Sequence, residues 1–137
     1  MDEKISFLLP FTRVGENKSY FAPTLTYECK SIPVKVAMDI AFYFICLKNN
    51  EIYRLWFDIL KDGVSLIDDS WDRDKYFRAE DPNSKPYEIA VGLNVNLPDI
   101  PFSGEGIHSI KAKLYSASSK DTPIDIKEVF FKVTQVK

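Results

Sequence analysis

His108 is the only histidine in the 137-residue sequence. A Ser-His-Asp or Cys-His relay would have to be built on it, and a metal site made of several imidazoles is excluded. Alternation puts His108 on the same side as Ile110, Ala112 and Leu114, at the start of a strand, which predicts a structural or strand-edge histidine rather than a catalytic base. No G-x-S-x-G elbow, phosphate-cradling glycine loop or dinucleotide fingerprint occurs, and five glycines leave little material for one. The sequence therefore predicts a protein that is not an enzyme and carries no cofactor.

Asp68, Asp69, Asp72 and Asp74 place four carboxylates within seven residues, the oxygen-rich chemistry a hard cation such as Ca²⁺ uses. The spacing lacks the glycine and ligand order of an EF-hand loop, and Arg73 and Lys75 stand among the acids. A self-compensated loop with no metal is expected. The thiols Cys29 and Cys46 lie in strand-like segments outside any C-x-x-C pair, and are expected to be reduced and buried.

Aromatic residues make up 14% of the chain. Trp71, Tyr76 and Phe77 fall in the longest stretch without a strand pattern, Asp68 to Lys85, and Trp56 alternates onto the polar side of its strand with Arg54 and Asp58. Trp and Tyr beside Arg are enriched where proteins meet. Together with Tyr43 and Ile45 they give an expected partner-binding set of Tyr43, Ile45, Trp56, Trp71, Arg73, Tyr76 and Phe77. The partner is expected to be another protein or a second copy of the chain. The alternative is a small-molecule or carbohydrate-binding module, with or without help from Ca²⁺.

The elements that must position these residues are strands. From Val34 to Cys46 the even positions, Val34, Val36, Met38, Ile40, Phe42, Phe44 and Cys46, form one apolar face. Tyr43, Ile45 and Leu47 make the far end apolar on its other face too, so that end should be covered on both sides. After turn chemistry at Lys48 to Asn50, Glu51 to Leu60 reads as a hairpin partner. Asp62-Gly63 predicts a tight turn into a short strand from Val64 to Ile67. Tyr87 to Leu97 alternates cleanly, with Tyr87, Ile89, Val91, Leu93, Val95 and Leu97 on one side. Further strands are expected at Ile5 to Leu9, Thr24 to Cys29, around Ile110 to Leu114 and around Val129 to Val133, with all eight prolines at or near segment boundaries.

Seven to eight strands and no amphipathic helix predict an all-β protein, an antiparallel β-sandwich of immunoglobulin-like size in a single domain over residues 1–137. Val, Ile, Leu and Phe amount to about 31% of the residues, enough for a core and too many for global disorder. A formal charge of −2 gives no footprint for nucleic acid, and the acidic start MDEKISFLLP reads as neither a signal peptide nor a membrane span. A cytoplasmic location is expected.

The stretch from Gly104 through Val133, GEGIHSIKAKLYSASSKDTPIDIKEVFFKV, resembles the end of a family of uncharacterised small bacterial sandwich domains, in which a glycine precedes a strand, a turn follows and an apolar strand closes the chain. ISFLLPFTRV and VKVAMDIAFYF are compatible with it, while the polar turn from Ser116 to Thr122 replaces the family's short Asp-Gly hairpin. The resemblance implies an immunoglobulin-like fold and a bacterial or phage context, and brings no active site.

Overall fold

The computed structural model describes residues 2–137. Ten strands run in the order β1 (Lys4–Val14), β2 (Tyr20–Pro23), β3 (Thr26–Cys29), β4 (Val34–Leu47), β5 (Ile52–Lys61), β6 (Val64–Ser65), β7 (Asp74–Arg78), β8 (Ile89–Phe102), β9 (Gly106–Ser116) and β10 (Asp125–Gln135). They form two layers. One sheet has the order β2-β1-β4-β8; the other has the order β3-β10-β9-β5-β6, with β7 also on β5. Every pairing is antiparallel except β3 with β10. The sandwich class is the expected one; the extra strands are short or lie in the stretch expected to be irregular, where β7 pairs with Ile52 to Trp56.

The long alternating strands face each other across the core. Met38, Ile40, Phe42 and Phe44 of β4 meet Tyr53, Leu55, Phe57 and Ile59 of β5, all buried, and β9 and β10 add Ile110, Ala112, Leu114, Phe131 and Val133. Each such side chain taken fully from water contributes roughly 1.5–3 kcal/mol, and aromatic pairs such as Phe42 and Phe57, 5.6 Å apart, add to that.

Four details differ from the sequence expectations. β4 and β5 are not a hairpin: they lie in different sheets, and Lys48 to Glu51 is an arch between layers. The other loops hold it, with Asn49 N–H donating to the Pro86 carbonyl at 2.8 Å and Asn50 N–H to the Ala79 carbonyl at 2.7 Å. Leu47 does not share the outer face with Tyr43 and Ile45. The β4–β8 register slips between Phe44 and Leu47, and with Cys46 at φ 60° the extra residue turns Leu47 into the core.

Tyr87 precedes its strand and stands exposed. Pro10 and Pro98 sit within strands rather than near their boundaries, whereas Pro101 lies one residue from the end of β8. β8 is an edge strand, and Pro98 falls where its register with β4 slips, so its missing N–H interrupts no regular ladder; the Pro10 carbonyl takes the Thr24 N–H at 2.8 Å just where β2 stops pairing. The Asp62-Gly63 turn forms as expected, both residues at positive φ (51° and 78°) and Lys61 opposite Val64.

Candidate functional site

Two outward faces carry exposed aromatic rings. On the β2-β1-β4-β8 sheet, the site begins with a bulge in β1. Ile5 pairs with Phe44 and Phe7 with Tyr43, so Ser6 is the extra residue, and from there Phe7, Leu9 and Phe11 point away from the core. The Phe7 ring stacks on Tyr43 with centroids 4.6 Å apart, and Phe11 meets Phe21 of β2 edge-on at 5.0 Å. Arg13 lies over the Phe21 ring at 5.1 Å and 3.7 Å from the Asp39 carboxylate.

Ala41 is too small to fill the space between these pairs, and a hollow of about 420 Å³ opens above it, walled by Phe7 and Tyr43 on one side and Phe21 and Pro23 on the other. Phe7 is 48% exposed, Phe21 57% and Tyr43 39%. Gly92, directly across from Tyr43 in β8, lets the phenol ring lie flat against the strand, since a Cβ there would come within 3.1 Å of it.

On the other sheet the outward aromatics are paired with cations. Arg54 lies 3.9 Å over the Tyr115 ring, donates to Asp74 at 2.7 Å and to the Lys120 carbonyl at 2.9 Å; Lys113 lies 4.8 Å over Trp56. Tyr76, 71% exposed, rims a hollow of about 490 Å³ with Ile52, Lys120 and Asp121.

The seven expected partner-binding residues therefore do not form one surface. Tyr43 and Ile45 lie on the first face, Trp56 and Tyr76 on the second. Trp71, Arg73 and Phe77 turn inward. Trp71 packs half-buried on the core, and Phe77 stacks on Phe44 at 4.8 Å and Tyr53 at 5.6 Å. Arg73 donates to the Ile67 carbonyl at 2.8 Å and to Ser65 Oγ at 3.1 Å, with Asp58 at 3.6 Å. The sequence expectation missed Phe7 and Phe21. The signal for Phe7 was the alternation of Phe7, Leu9 and Phe11, which gives β1 an apolar outer face; Phe21, on a four-residue strand, carried none.

The acidic stretch disperses its carboxylates. Asp68 accepts from Ser70 N–H at 2.8 Å, Asp72 from Asp74 N–H at 2.9 Å, Asp69 sits by Arg73 and Asp74 by Arg54. The bonds from Ser70 hold the Asp68 carboxyl below its ordinary range. Among the described residues no three His, Cys, Asp or Glu side chains converge as metal ligands.

His108 is 1% exposed between Phe102 and Phe131. Its Nδ1 lies 3.0 Å from the Gly106 carbonyl, which can only accept, so that nitrogen carries the proton, and the buried Nε2 has no partner among the described residues. Burial, reinforced by Lys61, pushes its pKa below the usual value. No carboxylate among the described residues orients it.

No protein-family model matches the sequence, and no curated protein matches it. Among solved structures, a bacterial adhesin from Mobiluncus mulieris, cross-linked by intramolecular disulfide, isopeptide and ester bonds, superimposes with TM-scores of 0.60 and 0.59 in two crystal forms. The sequences are 5% and 4% identical, and each alignment covers 98% of this chain and 58% of the adhesin chain. A Niemann-Pick type C2 protein from the Japanese carpenter ant follows at a TM-score of 0.49 and 10% identity, covering 98% of this chain and 94% of its own. This chain thus spans less than two thirds of the adhesin chain. At such identities the likeness shows the fold alone, an immunoglobulin-like β-sandwich.

Proposed function

We propose that this chain is a non-catalytic β-sandwich module that binds another protein through the outer face of the β2-β1-β4-β8 sheet. One observation carries the reading: Phe7, Phe21 and Tyr43 stand exposed around a single apolar hollow on the side of the sheet turned away from the core. Such a surface serves no packing need of the fold, and rigid aromatic anchors around a concavity, rimmed by Arg13, Asp39 and Asn94, suit a partner that inserts aliphatic or aromatic side chains.

The test is affinity capture from the native host on the wild-type chain and on Phe21→Ser with Tyr43→Ser. The captured protein is then purified and titrated by calorimetry. The expected result is a partner whose affinity falls at least about tenfold on the double variant, with a negative heat-capacity change on the wild type. A partner bound equally by both, through Trp56 and Tyr76 instead, overturns the assignment of the face.

A second reading rests on the hollow beside Tyr76, where one exposed ring and the Ser116, Lys120 and Asp121 polar groups suit a small molecule or a sugar. A rise in melting temperature with simple sugars that disappears in Tyr76→Ala supports it, and no rise removes it.

A further inference from the structure

The two sheets end in edges of very unequal kinds. β2 has four residues and ends at Pro23; β3 has four and carries Glu28; β6 has two; β7 has five, among them Asp74, Lys75 and Arg78. Shortness, proline and charge are the devices that keep a strand edge from pairing with another chain. β8 has none of them over most of its length. From Ile89 to Leu97 it runs nine residues without a charge or a proline, pairs with β4 on one side, and among the described residues pairs with no strand on the other.

The free flank is not roofed over. A hollow of about 290 Å³ runs along it between Leu93 to Asn96 and the Lys75-Tyr76 segment of β7, and Val91 and Leu93 are only half-buried although they face the core. Backbone donors and acceptors along such an edge are satisfied by water, and a second strand can replace that water with a ladder.

The sequence of the edge is complementary to itself. Placed antiparallel across a twofold axis at Leu93, Ile89 faces Leu97 and Val91 faces Val95 on the core side, while Ala90 faces Asn96 and Gly92 faces Asn94 on the outer side. Apolar meets apolar and small meets amide in every pair. The flanking acids avoid each other too, because Glu88 falls opposite Pro98 and Asp99 opposite Tyr87. A partner strand with this pattern is the strand itself, and a twofold interface requires just such self-complementarity.

We infer that two copies of this chain associate by antiparallel β8–β8 pairing, joining their four-stranded sheets into one. The hollow ringed by Phe7, Phe21 and Tyr43 is built on β1, β2 and β4 and meets β8 only at Asn94; its anchors Phe21 and Tyr43 are not on the pairing strand, so loss of the dimer and loss of partner binding are read by different variants.

Sedimentation equilibrium on the wild-type chain and two double variants tests the pairing and its register. Ala90 and Asn96 are both exposed, so changes there leave the core intact, and unchanged melting temperatures check this. Ala90→Lys with Asn96→Lys sets like charges opposite each other twice across the axis. Ala90→Glu with Asn96→Lys sets opposite charges there instead, and the new lysine also meets Asp39, to which the Asn96 amide now donates at 2.9 Å.

The expected outcome is a wild-type particle of twice the 15.8 kDa chain mass, dissociation about tenfold easier in the Lys/Lys variant, and a dimer restored in the Glu/Lys variant. A wild-type chain that stays monomeric at its highest soluble concentration overturns the inference. So does a dimer that responds identically to both variants.

Discussion

Arg73 separates a residue that serves a partner from one that serves the fold, and replacing it by alanine gives a decisive measurement. Its side chain is 18% exposed and that of Asp58 opposite it 10%. Two charged hydrogen bonds, to the Ile67 carbonyl and to Ser65 Oγ, tie β6 and the following loop to the start of β7. Removing them costs about 1.5 kcal/mol each before relaxation. The Asp58 carboxylate would keep its bonds from Ile59 N–H at 2.9 Å and Ser65 Oγ at 2.6 Å but lose its counter-charge in a largely water-free position. The bonds overlap with the charge effect through the shared Ser65 hydroxyl, so the total is about 3 kcal/mol rather than a full sum. For a chain of this length that corresponds to a fall in Tm of about 10 °C. Urea denaturation with fixed slope reads the free energy directly. Adding Asp58→Asn to Arg73→Ala should return at least about 1 kcal/mol, because no uncompensated charge is then left behind. If Arg73→Ala costs less than about 1 kcal/mol, the pair behaves as an exposed surface contact and the reasoning about this loop is refuted.

Burial holds the His108 pKa below the ordinary 6.5, so the unfolded chain takes up a proton first as pH falls. This part of the stability is complete above 6.5, is lost as pH falls through 6.5 towards the folded value, and is absent from His108→Phe; identical losses between pH 7.5 and 5 in both chains would sink the assignment. Tyr27 packs its ring on Phe102 and Phe131, but its buried hydroxyl has no partner among the described residues, so Tyr27→Phe should raise stability by about 1 kcal/mol in the same denaturation assay, and a loss would point to a hidden bond. Gly63→Ala meets no neighbour but forces a side chain to φ 78°, which should cost about 1 kcal/mol; a neutral result would mean the turn is not held in that conformation. Because each carboxylate of Asp68 to Asp74 already has its own donor or cation, saturating Ca²⁺ or EDTA should move the Tm by less than about 1 °C, and a larger rise with Ca²⁺ would show that the loop rearranges around the ion.

The layers of this sandwich were legible wherever a strand is long and undisturbed. Met38 to Phe44, Tyr53 to Ile59 and Ile89 to Leu97 alternate without a break, and the structure turns each set to the core. Connectivity was less legible for a physical reason. A hairpin and an arch between sheets need the same polar turn residues at Lys48 to Asn50, and the choice between them is made by distant partners: β5 takes β9, and the arch is tied to the Ala79 and Pro86 carbonyls. The parallel pairing of β3 with β10 joins segments about a hundred residues apart, and no local pattern encodes that closure.

Bulges account for most of what was misread about the outer faces. A bulge inserts one residue, so it reverses the parity of everything beyond it while leaving composition and local propensity unchanged. Ser6 in β1 swings Phe7, Leu9 and Phe11 outward, and the slip near Cys46 swings Leu47 inward. Counting by twos across either point assigns the wrong side. Tyr43 and Ile45 were legible because they precede the slip; Phe21 was not, since a four-residue strand is too short to show a period. Phe77 and Arg73 were grouped with the partner-binding residues because Asp68 to Lys85 shows no strand pattern of its own. Once β7 pairs with β5, the same alternation that aims Tyr76 at solvent sends Phe77 onto Phe44 and Tyr53. The outer aromatics were thus assignable to a face only on unbroken stretches, as at Tyr43, because elsewhere the assignment depends on where the chain breaks its own rhythm.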